Sequence, residues 1–262
     1  MTSRARSLLL HGSGSMAPEP RAGLLHGPVG RHVPTLIDLF LRVQPHPQIH
    51  TARRGKAVIR EDDFADHAML LLEGWVAFSK MLPDGESQII DILLPGDFAL
   101  IGAANAPLAA FSVETLSDAR FINIGPGRVN GPEPEMARLR ELMAAEIVRM
   151  QSRTSELLLR VGKGSAANRI AYALLEFFVR LEAVGMTSGT RFAFPMTQHK
   201  LGEFTGMSNV HVNRTLRRFE REGIVAYPAP PEIDLCDIDA LCALAGLDLA
   251  SFRNEIIARR AP

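Results

Sequence analysis

The 262-residue chain has little of several things, and each scarcity excludes something. It has two cysteines, Cys236 and Cys242, too few for a disulfide framework or a four-thiolate iron–sulfur cluster. No apolar run approaches the roughly 18 residues of a membrane-spanning helix. The opening MTSRARSLLL ends in only three leucines, too short an apolar stretch for a secretory signal, so a cytoplasmic protein is expected. There is no net charge either, with 29 basic and 29 acidic residues. That balance is uneven along the chain: residues 61–130 carry 3 basic and 11 acidic residues, whereas 131–225 carry 14 and 10. Residues 1–60 carry 9 basic and 2 acidic residues, and such asymmetry implies different surfaces for different partners.

Residues 1–30, rich in Gly, Ser, Pro and Arg, show no apolar period and read as disordered. A short helix is predicted over 34–43, with Leu36, Ile37, Phe40 and Leu41 on one face. Short apolar runs then follow between turn signals: AVI (57–59), AMLLL (68–72), WVAF (75–78), QIIDILL (88–94), FALI (98–101), FSVETL (111–116) and RFINI (120–124). This punctuation predicts an antiparallel β-roll within residues 31–130.

The period changes after Pro132 and Pro134. Met136, Met143, Met150 and Leu157 recur every seven residues, accompanied by Leu139, Ile147, Thr154 and Val161. A helix of about 26 residues, roughly 39 Å long, is predicted, and the eight residues form its expected homodimer face. Residues 131–162 thus read as a dimerisation helix. Gly162 and Gly164 break it before a second helix over about 165–184.

Residues 194–225, FPMTQHKLGEFTGMSNVHVNRTLRRFEREGIV, carry the functional signal. Thr197 caps a short helix, Thr205-Gly206-Met207 forms a turn, and Ser208 caps a second helix to about Glu222. This is the order of a helix-turn-helix. Val212, Leu216 and Phe219 share the inward face of the second helix. Asn209, Val210, Asn213 and Arg214 are expected to read bases: asparagine pairs with adenine, arginine with guanine, and valine meets a thymine methyl. Thr197, Gln198, Ser208, His211, Arg217, Arg218 and Arg221 are assigned to phosphates. Ile224–Tyr227, the proline-rich 228–231 and Ile233–Leu235 read as a wing, and 237–245 as a closing helix. Residues 163–262 form the DNA-binding part of this division.

On SAANRIAYALLEFF (165–178), LGEFTGMSNVHVNRTLRRFEREGI (201–224) and GESQIIDILLPGDF (85–98), the chain resembles the Crp/Fnr family of bacterial transcription regulators over about 33–245. The resemblance implies an α+β protein with a cyclic-nucleotide-binding-like β-roll, a long dimerisation helix and a C-terminal winged helix-turn-helix. It implies a homodimer on palindromic double-stranded DNA, with RNA polymerase as partner if the protein activates. Cyclic-nucleotide-binding members carry a Gly-Glu-Leu and an Arg-Ser after the PGDF-like turn. Here DFALIGAANAPLAAFSVETL (97–116) has neither. A buried cyclic phosphate without a cation is strongly penalised, so cyclic AMP dependence is not expected. An effector, if any, would meet Ile101, Gly102, Ala103, Ala109, Ala110 and Phe111. Well-known members begin the recognition helix with Arg-Glu, where this chain has Asn209-Val210.

Two other readings use the histidines. A haem- or gas-sensing regulator would draw axial ligands from His and Met. A metal-dependent β-barrel enzyme would need His46, His50 and His67, which lack metal-site spacing. No cofactor, metal or catalytic residue is predicted, and the chain reads as a non-enzyme.

Overall fold

The computed structural model describes residues 24, 27, 29, 31, 33–102 and 106–256. Helix α1 (Pro34–Val43) opens with proline in its first turn, where a missing N–H costs nothing. It buries Leu36, Ile37, Phe40, Leu41 and Val43. Leu24 and Val29, within the segment expected to be disordered, are buried in the same cluster. The rest of residues 1–30, apart from Gly27, lies outside the described residues.

Eight strands follow: β1 (Ile49–Ala52), β2 (Ala57–Ile59), β3 (Ala68–Glu73), β4 (Val76–Met81), β5 (Ser87–Leu93), β6 (Phe98–Ala99), β7 (Ser112–Thr115) and β8 (Ala119–Ile124). They form two four-stranded sheets, ordered β1-β8-β3-β6 and β2-β7-β4-β5, with antiparallel pairing throughout. Met69 and Leu71 face a core shared with Val76, Phe78, Leu93 and Val113 of the other sheet. Ala68, Leu70 and Leu72 face α1 on the opposite side. Burial of both faces explains why β3 reads as an unbroken apolar run rather than an alternation. The β3–β4 turn requires Gly74: its φ is +91°, and a Cβ there would sit 2.3 Å from the Asp118 carbonyl oxygen.

After the short α2 (Pro126–Val129) comes α3 (Pro134–Lys163), 30 residues long. Gly162 lies inside it, and the helix ends with Gly164 as its C-cap. Helix α4 (Ala166–Ala183) is capped by Ser165, whose side chain accepts from the Asn168 N–H, and its central residues are buried all round. The C-terminal part adds β9 (Thr187–Ser188), β10 (Arg191–Ala193), α5 (Gln198–Thr205), α6 (Asn209–Arg221), β11 (Glu232–Asp234), α7 (Ile238–Ala245) and α8 (Leu249–Ile256). The wing differs from expectation. Strand β11 pairs with β10, and Ile224–Tyr227 contributes one bridge, Ala226 to Asp234. Pro228, Pro230 and Pro231 have no N–H to extend that ladder.

A buried ionic network joins the roll, α3 and α4. Arg153 donates to both carboxylate oxygens of Asp91, at 3.1 and 2.8 Å, and to Glu146 at 3.2 Å. Arg149 closes on Glu146 at 2.7 Å. Arg180 of α4 donates to Glu176 and to the Ile92 carbonyl, both at 2.7 Å, and also to Asp97. Burial alone would raise the Asp97 carboxyl, but Arg180 and Arg153 outweigh it and hold it low. Glu176 is pushed up by burial, and Glu146 by burial and then by Asp97.

Candidate nucleic-acid interface

Local chemistry sets up the helix pair α5–α6. The Thr197 side chain accepts from the Lys200 N–H at 3.1 Å and caps α5. Gly206 ends that helix in the left-handed region, at φ 65° and ψ 42°. Gly202 is needed for a different reason: a Cβ there would lie 2.6 Å from the Met207 carbonyl oxygen, where the turn folds back on α5. Ser208 caps α6 by accepting from the His211 N–H at 3.4 Å, and its Oγ lies 2.9 Å from His211 Nδ1.

Helix α6 buries Val212, Thr215, Leu216 and Phe219. This anchored side leaves Asn209, Val210, His211, Arg214, Arg217 and Arg221 exposed. Four residues were expected at bases, and the structure separates them. Among the described residues, the side chains of Asn209 and Arg214 make no hydrogen bond or ion pair, and Val210 is 75% exposed. Asn213 is held at both ends of its amide: Nδ2 donates to Gln198 Oε1 at 2.8 Å, and Oδ1 accepts from Arg217 Nε at 3.1 Å. Arg218 donates to Glu222 at 3.3 Å and lies over the Phe219 ring, 5.7 Å from its centroid.

Arg214, Arg217, Arg218 and Arg221 line a groove whose other wall is the first turn of α4, Ser165 to Ala167. Aligned N–H groups at a helix start add to the pull of the Arg217 and Arg221 guanidinium groups on an anion. Nothing chemical in the sequence marks Ser165, Ala166 and Ala167 as part of this surface. A capping serine is visible there, but its nearness to α6 depends on the tertiary fold.

The expected dimer face is corrected by burial. Met136, Leu139 and Met143 pack against the roll and α1 inside one protomer. Leu157 is buried in a core that the DNA-binding part shares with Trp75, Ile89 and Ile92 of the roll, and Val161 packs against it. Met150 is half-buried against the inner core of the roll. Of the eight, Ile147 and Thr154 are exposed, next to exposed Val148, Leu158 and Leu159.

The expected effector residues do not share one environment. Ala109 is buried, Ile101 and Phe111 are half-buried, and Gly102 and Ala110 are exposed. Ala103 lies outside the described residues. The Phe111 ring stacks on Phe78 with centroids 4.2 Å apart. Lys80 donates to the Ala110 carbonyl at 2.8 Å and is ion-paired with Glu61.

His50 stacks on Phe121 at 5.6 Å, and His67 contacts Asp66. Burial and then His67 lower the His50 imidazole. Among the described residues, no group of three or more His, Cys, Asp or Glu is placed to hold a metal ion. None of the described helices is long and apolar enough to cross a membrane.

Two family models match the chain: a cyclic nucleotide-binding domain over residues 49–130 and a Crp-like helix-turn-helix domain over residues 168–244. The nitrogen fixation regulation protein FixK of Bradyrhizobium diazoefficiens is 30% identical over 186 residues, covering 68% of this chain and 76% of that protein. The transcriptional activatory protein AadR of Rhodopseudomonas palustris is 29% identical over 197 residues, covering 72% and 78%. Among solved structures, FixK2 of Bradyrhizobium japonicum superposes with a TM-score of 0.67 at 23% identity, over 76% of this chain and 96% of that one. A Crp-family transcriptional regulator from Thermus thermophilus gives 0.62 at 21% identity, over 76% and 98%. The last two likenesses bear on the fold alone.

Proposed function

The chain belongs to the Crp/Fnr family of DNA-binding transcription regulators, and from that premise we propose that it binds a palindromic operator as a homodimer, without cyclic AMP. The carrying observation is the outward face of α6. Asn209, Val210 and Arg214 stand exposed at its N-terminal half, with Arg217, Arg218 and Arg221 behind them. That order suits a recognition helix, whose first turns meet base edges while cations farther along hold the backbone. Thr197, Gln198, Ser208 and His211 stand at the two helix starts, where they flank the duplex. We place Asn213 in a positioning role, since its amide is already engaged.

The dimer reading rests on the outer face of α3. Val148, Gln151, Ser155 and Leu158 follow one another at spacings of three and four, and all are exposed. Ile147 and Leu159 widen the apolar surface. A seam at that spacing suits a parallel partner helix, and a two-fold axis would set two α6 helices about 34 Å apart. The division into a roll (31–130), a dimerisation helix (131–162) and a DNA-binding part (163–262) follows this use of α3.

The case against cyclic AMP is electrostatic. The described residues from Phe98 to Val113 contain no charged side chain, and the Lys80 ammonium nearby is taken by Glu61. We assign no catalytic step and place the protein in the cytoplasm with its DNA, where RNA polymerase is a partner if it activates. Selection of duplexes from a random pool, with and without cyclic AMP, tests the reading. A palindrome enriched equally in both arms is expected; no enrichment, or enrichment only with cyclic AMP, would overturn it.

A further inference from the structure

Val210 is the one large apolar side chain on the outward face of α6, and it is 75% exposed. Its neighbours on that side, Asn209, His211 and Arg214, are polar or charged. An exposed β-branched residue is a poor choice for helix stability, because it loses rotamer freedom and gains no burial. Val212, two residues on, is fully buried, so Val210 adds nothing to the core. Its methyl groups are left free to be covered by a partner.

Val210 also sits one turn before Arg214. At 100° per residue the two are 40° apart on the helix, so they face the same surface. In a major groove, the apolar feature on a base edge is the 5-methyl group of thymine. The two valine methyls, fixed in one rotamer by the helix, make a rigid complement to it.

We infer that Val210 reads a pyrimidine 5-methyl group, so that the half-site carries a thymine opposite Val210, close to the base pair met by Arg214. This rests on the proposed DNA reading and names what that surface selects. Recognition of the methyl rather than of a hydrogen-bonding edge has a consequence. Uracil at that place is rejected although it pairs identically, and 5-methylcytosine is preferred there over cytosine. Binding would then respond to cytosine methylation at that one position.

The test uses the full chain and the enriched operator from the random pool. Each thymine of the half-site is replaced in turn by deoxyuridine, and dissociation constants are measured for wild type and Val210→Ala. One buried methyl is worth about fourfold in affinity, so symmetric replacement in both half-sites should weaken wild-type binding about sixteenfold at one position. In Val210→Ala, whose fold is untouched because residue 210 is exposed, the same replacement should cost less than about twofold. At that position, 5-methylcytosine should bind wild type about fourfold better per half-site than cytosine. An equal uracil penalty in wild type and Val210→Ala would overturn the inference, since the methyl would then act through DNA shape. So would the absence of any uracil-sensitive position in an operator that binds well. If no duplex is enriched at all, it is the DNA reading itself that fails, and this inference with it.

Discussion

Asn213 on α6 donates its amide to Gln198 Oε1 on α5 at 2.8 Å, tying the two helices of the motif together across the turn. The same amide accepts from Arg217. Each bond uses one of the amide's two donors or two acceptor sites, and together they hold it as a link between α5 and α6. Asn213→Ala should therefore weaken operator and scrambled duplex alike, by about two- to tenfold, the worth of one hydrogen bond. Gln198→Ala should do the same, and the double variant should cost no more than the larger single one. Fluorescence anisotropy on both duplexes checks this. Relaxed preference at a single base pair in Asn213→Ala would return it to base reading.

The two faces of α3 should respond differently to charge. Val148→Glu with Leu158→Glu places carboxylates on exposed positions, so each protomer should keep its helical circular dichroism and sediment as a monomer. Met143→Glu buries a carboxylate where the wild-type residue is 2% exposed. It should cost several kcal/mol of folding stability, on the order of 3–5. A persistent dimer in the first variant would remove the assigned interface.

The buried network should be strongly destabilised by loss of one member. Arg153→Met leaves Asp91 and Glu146 without their shared cation, an expected cost of about 3–5 kcal/mol in denaturant unfolding. The network also sets a pH dependence. Glu176 is raised by burial, so the folded state favours its protonated form. The contribution is greatest below the usual carboxylate range, about pH 4, and is lost as pH rises through the elevated value. Asp97 is held low and acts oppositely: its stabilisation is present above that range and is lost as pH falls. In Glu176→Gln the loss of stability from about pH 4 upward should be smaller than in wild type, as read from unfolding midpoints. An unchanged slope would show that the carboxyl titrates normally.

Much of this architecture is legible in the chain because its signals are local. Pro34, Thr197, Ser208 and Gly206 mark helix ends, and Val212, Leu216 and Phe219 mark the inward face of α6. What is not legible depends on distant partners. The Asn213–Gln198 bond spans fifteen positions, and helical periodicity carries no trace of it. Helix α3 has two apolar stripes, and burial inside a protomer uses the same residue types as burial in a dimer. Met143 and Val148 are therefore chemically alike in sequence and opposite in exposure. Helix α8 is eight residues long, and Leu249, Phe252 and Ile256 are too few to establish a period. The wing departs from its local signals because β11 takes its main partner from β10, about forty residues upstream.

The most direct test of base reading by α6 compares Arg214→Ala with Arg221→Ala on operator and scrambled duplexes at two salt concentrations. Both side chains are exposed, so neither change disturbs the fold. Arg214→Ala should lose about 1–3 kcal/mol on the operator and little on the scrambled duplex, with relaxed preference at one base pair. Arg221→Ala should weaken both duplexes equally and reduce the salt slope by about one unit. Equal loss on both duplexes in Arg214→Ala, with a changed preferred site in Arg221→Ala, would contradict base reading by the N-terminal half of α6.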